Sequence, residues 1–289
     1  MDVDRRARWA LNTSSHGIAM SSSRLVSIVI PAYKPAFFEA ALASALRQNH
    51  DHIEIIVTDD CRDDGIRDIV EKLRPQSRWP IHYSKNDTPL GEPHNIALGV
   101  SLARGDYIKF LYDDDILLTD CVRLMFDVMH DSPDIKIVSA TRKRIDASGA
   151  MLADNLYTAY PFGKNVVLNG PELVSFLAQY PVNFVGEPSA VMCRREDLLA
   201  FGQDIMSLNQ VLIWGLGDLA MYVKLLRQGN LAMLARPLSY FRVSEQQSSE
   251  AFRKDPTLPR EGHANFHRIP GELAGSDSTN SMARSGLRH

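Results

Sequence analysis

Strand-like and helix-like patterns of apolar residues alternate along the first half of the chain. Short apolar runs are typical of strands buried on both faces of a sheet, and they predict strands at residues 25–30, 53–58, 81–84, 107–111 and 135–139. Apolar residues at helical spacing predict the intervening helices at residues 36–48, 65–74, 92–103 and 121–130. This order predicts an α/β fold with a mostly parallel sheet and helices on both faces.

Several predicted ends are marked by residues with special backbone properties. Pro31 is expected to end the first strand, because proline cannot donate a backbone hydrogen bond. Gly105 is expected to close the third helix, at a position that tolerates a left-handed turn. Thr119 or Asp120 is expected to cap the helix that begins at Cys121.

The second half of the chain is less regular and predicts an α+β extension. A hairpin is predicted within residues 142–152, with its turn at Ser148 and Gly149. The remaining signals predict a helix at 171–180, a strand at 189–194, a helix at 218–230 that starts at Asp218, and closing strands in LAMLA and LSYFRV.

Polar segments flank the predicted fold at both ends. Residues 1–23 and 247–289 show no apolar period, so we expect them to be largely disordered. Residues 24–246 are expected to form a single domain with two halves, 24–140 and 141–246.

Composition and charge exclude some functions. The chain has 289 residues, of which 45% are hydrophobic and 23% charged, which is typical of a soluble globular protein. The net charge of -3 argues against a general nucleic-acid binder, and no apolar run reaches transmembrane length. Cys61, Cys121 and Cys193 are far apart and odd in number, so we interpret them as free thiols of a reducing, cytoplasmic compartment.

Three consecutive carboxylates, Asp113, Asp114 and Asp115, follow the fourth predicted strand in YIKFLYDDD. Their mutual repulsion is costly unless a cation, hydrogen-bond donors or water relieve it. Carboxylate oxygens suit a hard divalent cation whose shell is completed by substrate phosphates. The alternative is that Asp113 or Asp115 caps a turn while the others face water. The position at the end of a buried strand favours the metal.

Two other segments are expected at the same edge, because ligands bind beyond the carboxyl ends of parallel strands. Tyr33 follows the first strand and is either an ordinary strand-end aromatic or a stacking face for a base. Asp59 and Asp60 follow the second strand, and they either build a turn or accept hydrogen bonds from a nucleoside.

Three further polar residues have both a structural and a functional interpretation. Asp218 caps a helix or acts as a catalytic base. Arg242 in LSYFRV is an edge-strand surface residue or a phosphate partner. Asn95 in GEPHNIAL is a helix-surface amide or a ligand contact.

Five segments in order resemble family 2 glycosyltransferases of the GT-A fold, a Rossmann-like α/β fold, from about Val26 to Ser248. They are VSIVIPAYKP, IEIIVTDDCRDDGIRDIVEKL, LGEPHNIALGVSLARGDYIKFLYDDD, GDLAMYVKLLRQGNLAML and LSYFRV. The resemblance implies that residues 24–140 bind a nucleotide sugar and residues 141–246 bind an acceptor.

The resemblance also implies roles for individual residues. Those implied to contact a UDP-, dTDP- or GDP-linked sugar are Pro31, Tyr33, Asp59, Asp60, Asn95, Asp113, Asp114 and Arg242. Asp113 and Asp115, or in another register Asp114 and Asp115, would hold Mg²⁺ or Mn²⁺ on the diphosphate. Asp218 would deprotonate an acceptor hydroxyl in a single inverting displacement. Glu187 and Ser189 in NFVGEPSAVMCRRE would line the sugar or acceptor pocket.

The same resemblance implies a partner and a location. The acceptor would be a glycan or a lipid-linked glycan of a bacterial surface polysaccharide. The enzyme would work in the cytoplasm, with peripheral association at the inner face of the membrane, and without nucleic acid.

Departures from the family pattern motivate a second hypothesis, a catalytically silent nucleotide-sugar-binding or scaffold protein. They are Cys61 after the acidic pair, His94 before the helix asparagine, Tyr112 in the first acidic place and Ser244 in place of a frequent histidine.

A third hypothesis is a phosphoryl-transfer domain that uses Lys143, but it leaves residues 150–243 unexplained.

Overall fold

The computed structural model describes residues 24–155, 158–160, 162–208, 211–213 and 215–244. The segments predicted to be disordered, 1–23 and 247–289, lie outside the described residues. The strands are β1 (Val26–Ala32), β2 (Ile53–Asp59), β3 (Ile81–Lys85), β4 (Tyr107–Phe110), β5 (Ile116–Leu117), β6 (Ile135–Ile145), β7 (Met151–Leu152), β8 (Val166–Leu168), β9 (Val191–Arg194), β10 (Ser207–Leu208), β11 (Val211–Leu212) and β12 (Asn230–Arg242). The helices are α1 (Pro35–Leu46), α2 (Gly65–Leu73), α3 (Glu92–Leu102), α4 (Cys121–His130), α5 (Gly170–Gln179), α6 (Arg195–Leu199) and α7 (Gly217–Leu226).

The main sheet has the strand order β3-β2-β1-β4-β9-β6-β12-β5. Strands β1 to β4 form a parallel block, and β6 is parallel to β12. Strand β9 lies antiparallel between β4 and β6. The predicted α/β fold with a mostly parallel sheet is therefore confirmed. The sequence did not predict that β9 is inserted here in the antiparallel direction. A strand from late in the sequence lies between two strands that come earlier in the sequence.

Helices cover both faces of the sheet, as predicted. Side chains alternate between the two faces along a strand, and β1 shows this at neighbouring positions. Ile28 and Ile30 pack into a cluster with α1, α2 and α4. Val29 packs into a second cluster on the other face with α3, α5 and α7. The continuous apolar run at the start of the chain is therefore explained by burial on both faces.

Strand β1 does not end at Pro31 but continues to Ala32, which corrects the prediction. The Val29 carbonyl accepts the Leu111 amide (3.0 Å), so odd-numbered residues of β1 bond towards β4. Pro31 faces the same side, where β4 has already ended at Phe110. The missing proline N–H therefore costs the sheet no ladder hydrogen bond.

Two predicted caps are also wrong. Gly105 does not adopt a left-handed conformation. Asp120 lies at the N-cap of α4 without a capping hydrogen bond from its side chain. Its carboxylate instead accepts hydrogen bonds from Arg123, three residues later in the same helix, and from Arg236 of β12, each at 3.0 Å.

Other differences concern boundaries. The helix predicted to reach residue 230 ends at Leu226, because the Asn230 amide already bonds the Asp134 carbonyl (2.8 Å) and starts β12. Strand β6 extends to Ile145, because it pairs with β12 along most of its length. The hairpin turn is confirmed: β6 pairs with β7, and Gly149 has a φ of +87°.

The described residues bear on two further expectations. Cys61, Cys121 and Cys193 are buried free thiols, as predicted. Among the helices in the described part of the chain, none is long and apolar enough to span a membrane.

Gly105 is required by close packing. An added Cβ would lie 2.6 Å from the Leu25 carbonyl oxygen and 2.7 Å from Ser27 Oγ. The Gly105 amide donates to Ser27 Oγ (2.9 Å) and to Glu54 Oε1 (3.1 Å). Glu54 is 2% exposed, so this buried carboxylate joins the turn after α3 to strands β1 and β2.

We expect Gly105→Ala to lower the free energy of unfolding by about 2–3 kcal/mol, because the methyl group would overlap backbone atoms. The control is Gly202→Ala, where φ is +56° and an added Cβ meets no atom within 4 Å. That control should lower the free energy of unfolding by only about 1 kcal/mol, because alanine disfavours a left-handed backbone conformation. Urea denaturation measures both, and equal losses would contradict the packing argument.

Candidate active site

Asp113 joins the ends of β4 and β1. Its Oδ2 accepts the amides of Tyr33 (2.7 Å) and Lys34 (2.8 Å). Lys34 is the N-cap of α1, and its own side chain makes no capping bond. Asp113 therefore satisfies amides at the start of a helix almost eighty residues earlier in the chain. The acid triplet and the Tyr33 turn do meet at one edge of the sheet.

Asp115 is the most deeply buried member of the triplet, at 1% exposed. Its Oδ1 accepts the Arg242 amide (3.0 Å), whereas no donor within the described part of the chain contacts Oδ2. Burial raises the pKa of Asp115 well above its usual value, and the charges of Asp114 and Glu187 add to this effect. Hydrogen bonds from Ser189 and Arg242 oppose it.

The other two carboxyl groups are also difficult to ionise. Burial raises the pKa of Asp114 to about 7, with a further contribution from the charge of Asp113. Burial likewise raises the pKa of Asp113, against the lowering effect of the Lys34 and Tyr33 amides. The positive charges of Lys34 and Arg242 lower the pKa of Asp114, but they do not offset the effect of burial.

The triplet fits a hard divalent cation shared with a substrate. It supplies only oxygen ligands, and Asp115 Oδ2 is a buried oxygen without a donor among the described residues. Those residues contain no cluster of three or more histidine, cysteine or acidic side chains placed to hold a metal by themselves. Mg²⁺ in proteins is usually held by one or two carboxylates, with substrate phosphates and water completing its shell.

Arg242 connects the triplet to the β6–β7 hairpin. Its Nε donates to the Asp114 carbonyl (2.8 Å), and its Nη1 donates to the carbonyls of Asp146 (2.9 Å) and Ala147 (3.2 Å). The guanidinium carbon lies 4.4 Å from the centre of the Phe37 ring. The residue is only 4% exposed, so it is not an edge-strand surface residue. Its phosphate contact stays a prediction.

Asp59 is fully buried at the end of β2, and both of its carboxylate oxygens accept hydrogen bonds from the protein. Its Oδ1 accepts the Cys61 amide (2.7 Å), which is the turn contact considered from the sequence. Its Oδ2 accepts the Tyr83 hydroxyl (2.6 Å) and Lys85 Nζ (3.2 Å). A nucleoside contact would have to share these oxygens.

Asp60 organises the loop that precedes α3. Its Oδ1 accepts Asn86 Nδ2 (2.6 Å) and the Leu90 amide (3.0 Å), and its Oδ2 accepts the Gly91 amide (2.8 Å). Gly91 has a φ of +78°, which a side chain would disfavour. Asp60 thus determines the shape of the loop beside the proposed nucleoside site.

Asn95 is a buried link, at 2% exposed, and not a helix-surface amide. Its Nδ2 donates to the Thr58 carbonyl (3.0 Å), and its Oδ1 accepts from Asn86 Nδ2 (3.0 Å). Tyr33 contrasts with it, since its side chain is 52% exposed at the end of β1. Among the residues predicted to meet a nucleoside, Tyr33 therefore has a ring face accessible to a base.

Ser189 and Glu187 lie beside the triplet. Ser189 Oγ accepts the Tyr112 amide (2.9 Å), which fixes the chain just before Asp113. Glu187 Oε2 lies 2.8 Å from Arg142 Nε, as an ion pair without hydrogen-bond geometry. Both residues predicted for the pocket are therefore at the cleft, and Ser189 acts through the backbone of its neighbour.

Asp218 lies in the first turn of α7, half-buried. Its Oδ1 accepts the Leu219 amide (2.7 Å), and its Oδ2 accepts Asn183 Nδ2. Burial raises the pKa of Asp218 to about 7, and the nearby charges of Glu92 and Glu187 contribute. A carboxyl group with this pKa is well matched to proton transfer near neutral pH.

Several residues of the site were not identified as candidates from the sequence. Lys109 is fully buried, and its Nζ donates to the carbonyls of Phe110 (2.7 Å) and Ser189 (2.6 Å). The feature that could have identified Lys109 is a single lysine within an otherwise apolar predicted strand. Asn183 and Glu92 had no such signal, because only the fold brings them to Asp218. Glu92 accepts a hydrogen bond from the Tyr112 hydroxyl.

Lys143, the lysine of the phosphoryl-transfer hypothesis, pairs with Asp154 (2.7 Å). Both side chains are about 40% exposed, and Lys143 belongs to β6, which β9 separates from β4. The Lys143 ammonium group therefore has an acidic partner away from the triplet, and the structure does not favour the phosphoryl-transfer hypothesis.

Two curated proteins similar to this chain are named as glycosyltransferases. The chain is 32% identical over 114 residues to abequosyltransferase RfbV of Salmonella typhimurium, covering 38% of this chain and 34% of that protein. It is 36% identical over 93 residues to the putative teichuronic acid biosynthesis glycosyltransferase TuaG of Bacillus subtilis, covering 32% of this chain and 36% of that protein. The chain thus matches about a third of the length of these relatives.

The fold is similar to that of a solved structure. Residues 1–349 of S. aureus TarS, crystallised with UDP-GlcNAc, superpose with a TM-score of 0.58 at 16% identity, covering 91% of this chain and 76% of that one. The GT-A fold expected from the resemblance is therefore confirmed. The model of glycosyl transferase family 2 matches residues 27–198, which is more than half of the sequence. The chain belongs to glycosyl transferase family 2.

Proposed function

We propose that the protein is an inverting, metal-dependent glycosyltransferase that moves a sugar from a nucleoside diphosphate to an acceptor hydroxyl. The observation that carries this proposal is that one segment, residues 183–189, contacts both groups. Asn183 Nδ2 donates to Asp218 at one end, and Ser189 Oγ accepts the Tyr112 amide (2.9 Å) next to the triplet at the other. A candidate cation site and a candidate base therefore border one cleft, as a transfer from diphosphate to hydroxyl requires.

The donor is proposed to bind across the ends of β1 and β4. Tyr33 offers an exposed ring for the base, and the loop shaped by Asp60 borders the same edge. Asp113 and Asp115 would hold the metal, and the diphosphate of the donor would supply further ligands to it. Bound Mg²⁺ or Mn²⁺ would neutralise the negative charge that develops on the leaving diphosphate.

Asp218 is proposed to remove the proton of the attacking hydroxyl. The acceptor oxygen forms a bond to the anomeric carbon while the bond from that carbon to the diphosphate oxygen breaks. The proton passes to the Asp218 carboxylate, and the nucleoside diphosphate leaves with the bonding electron pair. Attack from the face opposite the diphosphate inverts the anomeric configuration.

The acceptor is proposed to be a glycan or lipid-linked glycan of a bacterial cell surface. The support is the name of TuaG, a putative enzyme of teichuronic acid biosynthesis. UDP is the first nucleotide to test, since TarS was crystallised with UDP-GlcNAc. Buried free thiols support a reducing, cytoplasmic location, with peripheral contact to the membrane where a lipid-linked acceptor is presented.

The alternative remains a silent nucleotide-sugar-binding protein of the same fold. Tyr112 motivates it, because its hydroxyl donates to Glu92 where the family usually has an acid. Such a protein would bind a donor and catalyse neither transfer nor hydrolysis.

A donor screen by thermal shift, with and without Mn²⁺, tests the proposal first. We expect one sugar nucleotide together with Mn²⁺ to raise the melting temperature, since ligands that bind only the folded state stabilise it. The same donor should then be hydrolysed or transferred in the presence of Mn²⁺. Binding with neither reaction favours the silent alternative, and no binding of any donor contradicts both.

Asp115→Asn should remove the Mn²⁺-dependent part of that shift. The variant keeps an oxygen for the Arg242 amide and replaces the charged, unpartnered oxygen by a neutral amide. The control is Asp51→Asn, an exposed acid just before β2 and so at the opposite end of the sheet. If Asp115→Asn retains the full Mn²⁺ effect, the triplet is not the metal site.

Asp218→Asn should reduce kcat by about 10²–10⁴-fold with little change in donor binding, because only the proton acceptor is lost. In the unmodified enzyme, kcat should rise with pH through about 7, since the carboxyl must be ionised to act as a base. Asp131→Asn, at the exposed end of α4, is the matched control. A pH profile that is flat from 5 to 9, or an active Asp218→Asn, would exclude Asp218 as the base.

A further inference from the structure

Residues 183–186 form a strap that lies over the first turn of α7. Within the strap, Asn183 Oδ1 accepts the Gly186 amide (3.0 Å) and Asn183 Nδ2 donates to the Gly186 carbonyl (3.1 Å). The Tyr222 hydroxyl also donates to the Gly186 carbonyl (2.8 Å). Tyr222 lies one helical turn after Asp218, so two separate bonds seat the strap on α7.

Asn183 also contacts the carboxyl group of Asp218. Its Nδ2 donates to Asp218 Oδ2, while the Leu219 amide donates to Oδ1 (2.7 Å). Each carboxyl oxygen of Asp218 therefore has one donor, and the group is held in a single orientation. The remaining lone pairs of both oxygens stay open to a proton.

The assignment of the Asn183 amide is determined by its partners. Its oxygen accepts a backbone N–H, so its nitrogen must be the atom that faces Asp218. Both hydrogens of this nitrogen are then used, one on the Gly186 carbonyl and one on Asp218. An amide nitrogen can only donate, and a donor to a carboxylate favours the ionised form.

Apart from the Leu219 amide, which also lowers the pKa of Asp218, the other groups that face this carboxyl act in the opposite sense or are neutral. Glu92 at the start of α3 and Glu187 after the strap are acids whose charges disfavour ionisation of Asp218. Tyr112 after β4 and Tyr222 on α7 are the nearby phenols. Among these side chains, Asn183 is the one that donates a hydrogen bond to the carboxylate.

We propose that Asn183 is a positioning residue that orients the Asp218 carboxylate and favours its ionised form, which abstracts the proton. The proposal rests on the proposed role of Asp218 as the base, and it adds a residue from a different segment of the chain. An acid-rich cleft suits a cation, but its negative charges disfavour the ionised form that a carboxylate base needs. The strap supplies a local donor that offsets this effect at Asp218.

The first test is a ¹³C-NMR titration of the Asp218 carboxyl, with the resonance assigned by its loss in Asp218→Asn. The pKa should be about 7 in the unmodified protein and about one unit higher in Asn183→Ala, since one hydrogen bond to the charged form is lost. Asn183→Asp, which keeps the shape and adds a like charge, should raise it further. An unchanged pKa in both variants overturns the proposal.

Tyr222→Phe is the matched control. It removes the other hydrogen bond that seats the strap and leaves the Asn183 contact with Asp218 intact. It should lower the melting temperature without moving the Asp218 pKa. If Tyr222→Phe moves the pKa as much as Asn183→Ala does, the strap acts only through its packing and the proposal fails. If Asn183→Ala does not fold, Asn183→Asp decides the outcome alone.

Kinetics separate this inference from the proposed function. If transfer is observed, the midpoint of the kcat pH profile should move up in Asn183→Ala by the same unit as the NMR titration, while KM for the donor stays within about twofold. If the unmodified protein catalyses no transfer, the proposed function fails, and the titration still tests the Asn183 contact. A shifted titration with an unshifted profile would show that Asp218 is not the group that limits the rate.

Discussion

The concentration of three carboxyl groups at the end of β4 is the constraint on which the site depends. Like charges at a buried strand end are tolerated only where donors or a cation meet them. The turn between β1 and α1 supplies two amides to Asp113, and the end of β12 supplies one amide to Asp115. These donors come from the beginning and the end of the folded chain. The strand order of the sheet is therefore part of the electrostatics of the site.

Positive charge near the triplet is limited and already engaged. Burial lowers the pKa of Lys109, while the charges of Asp115 and Glu187 act in the opposite direction. Its ammonium group is used by two backbone carbonyls. The guanidinium of Arg242 is likewise used by carbonyls of Asp114 and the hairpin. The cleft thus retains an excess of acid, which suits a divalent cation. The charges of Glu92 and Glu187 also add to the effect of burial, which is the main cause of the raised pKa of Asp218.

Residues that resemble the donor-binding positions of the family also build the edge itself. Asp59 bonds to β3 and Asp60 to the loop that precedes α3, while Asn95 donates from α3 back to the Thr58 carbonyl of β2. Their hydrogen bonds hold the loops rigidly in place beside the exposed Tyr33. A preorganised edge of this kind lowers the entropic cost of binding a flexible nucleotide sugar. Structural and binding roles are compatible in these residues, since each oxygen has more than one lone pair.

The sequence by itself determined the parallel block of strands, its covering helices and the acid triplet, because local apolar periodicity and order along the chain encode them. It also determined that Tyr33 and the triplet would meet, since the ends of parallel strands share an edge. Only the tertiary structure decided that β9 lies between β4 and β6, that Pro31 faces the side where β4 has ended, and that Gly105 packs against β1. The same holds for Asn183, which reaches Asp218 from 35 residues away. Such contacts join segments whose separation carries no periodic signal, so long-range packing and the pairing of buried polar groups determine them.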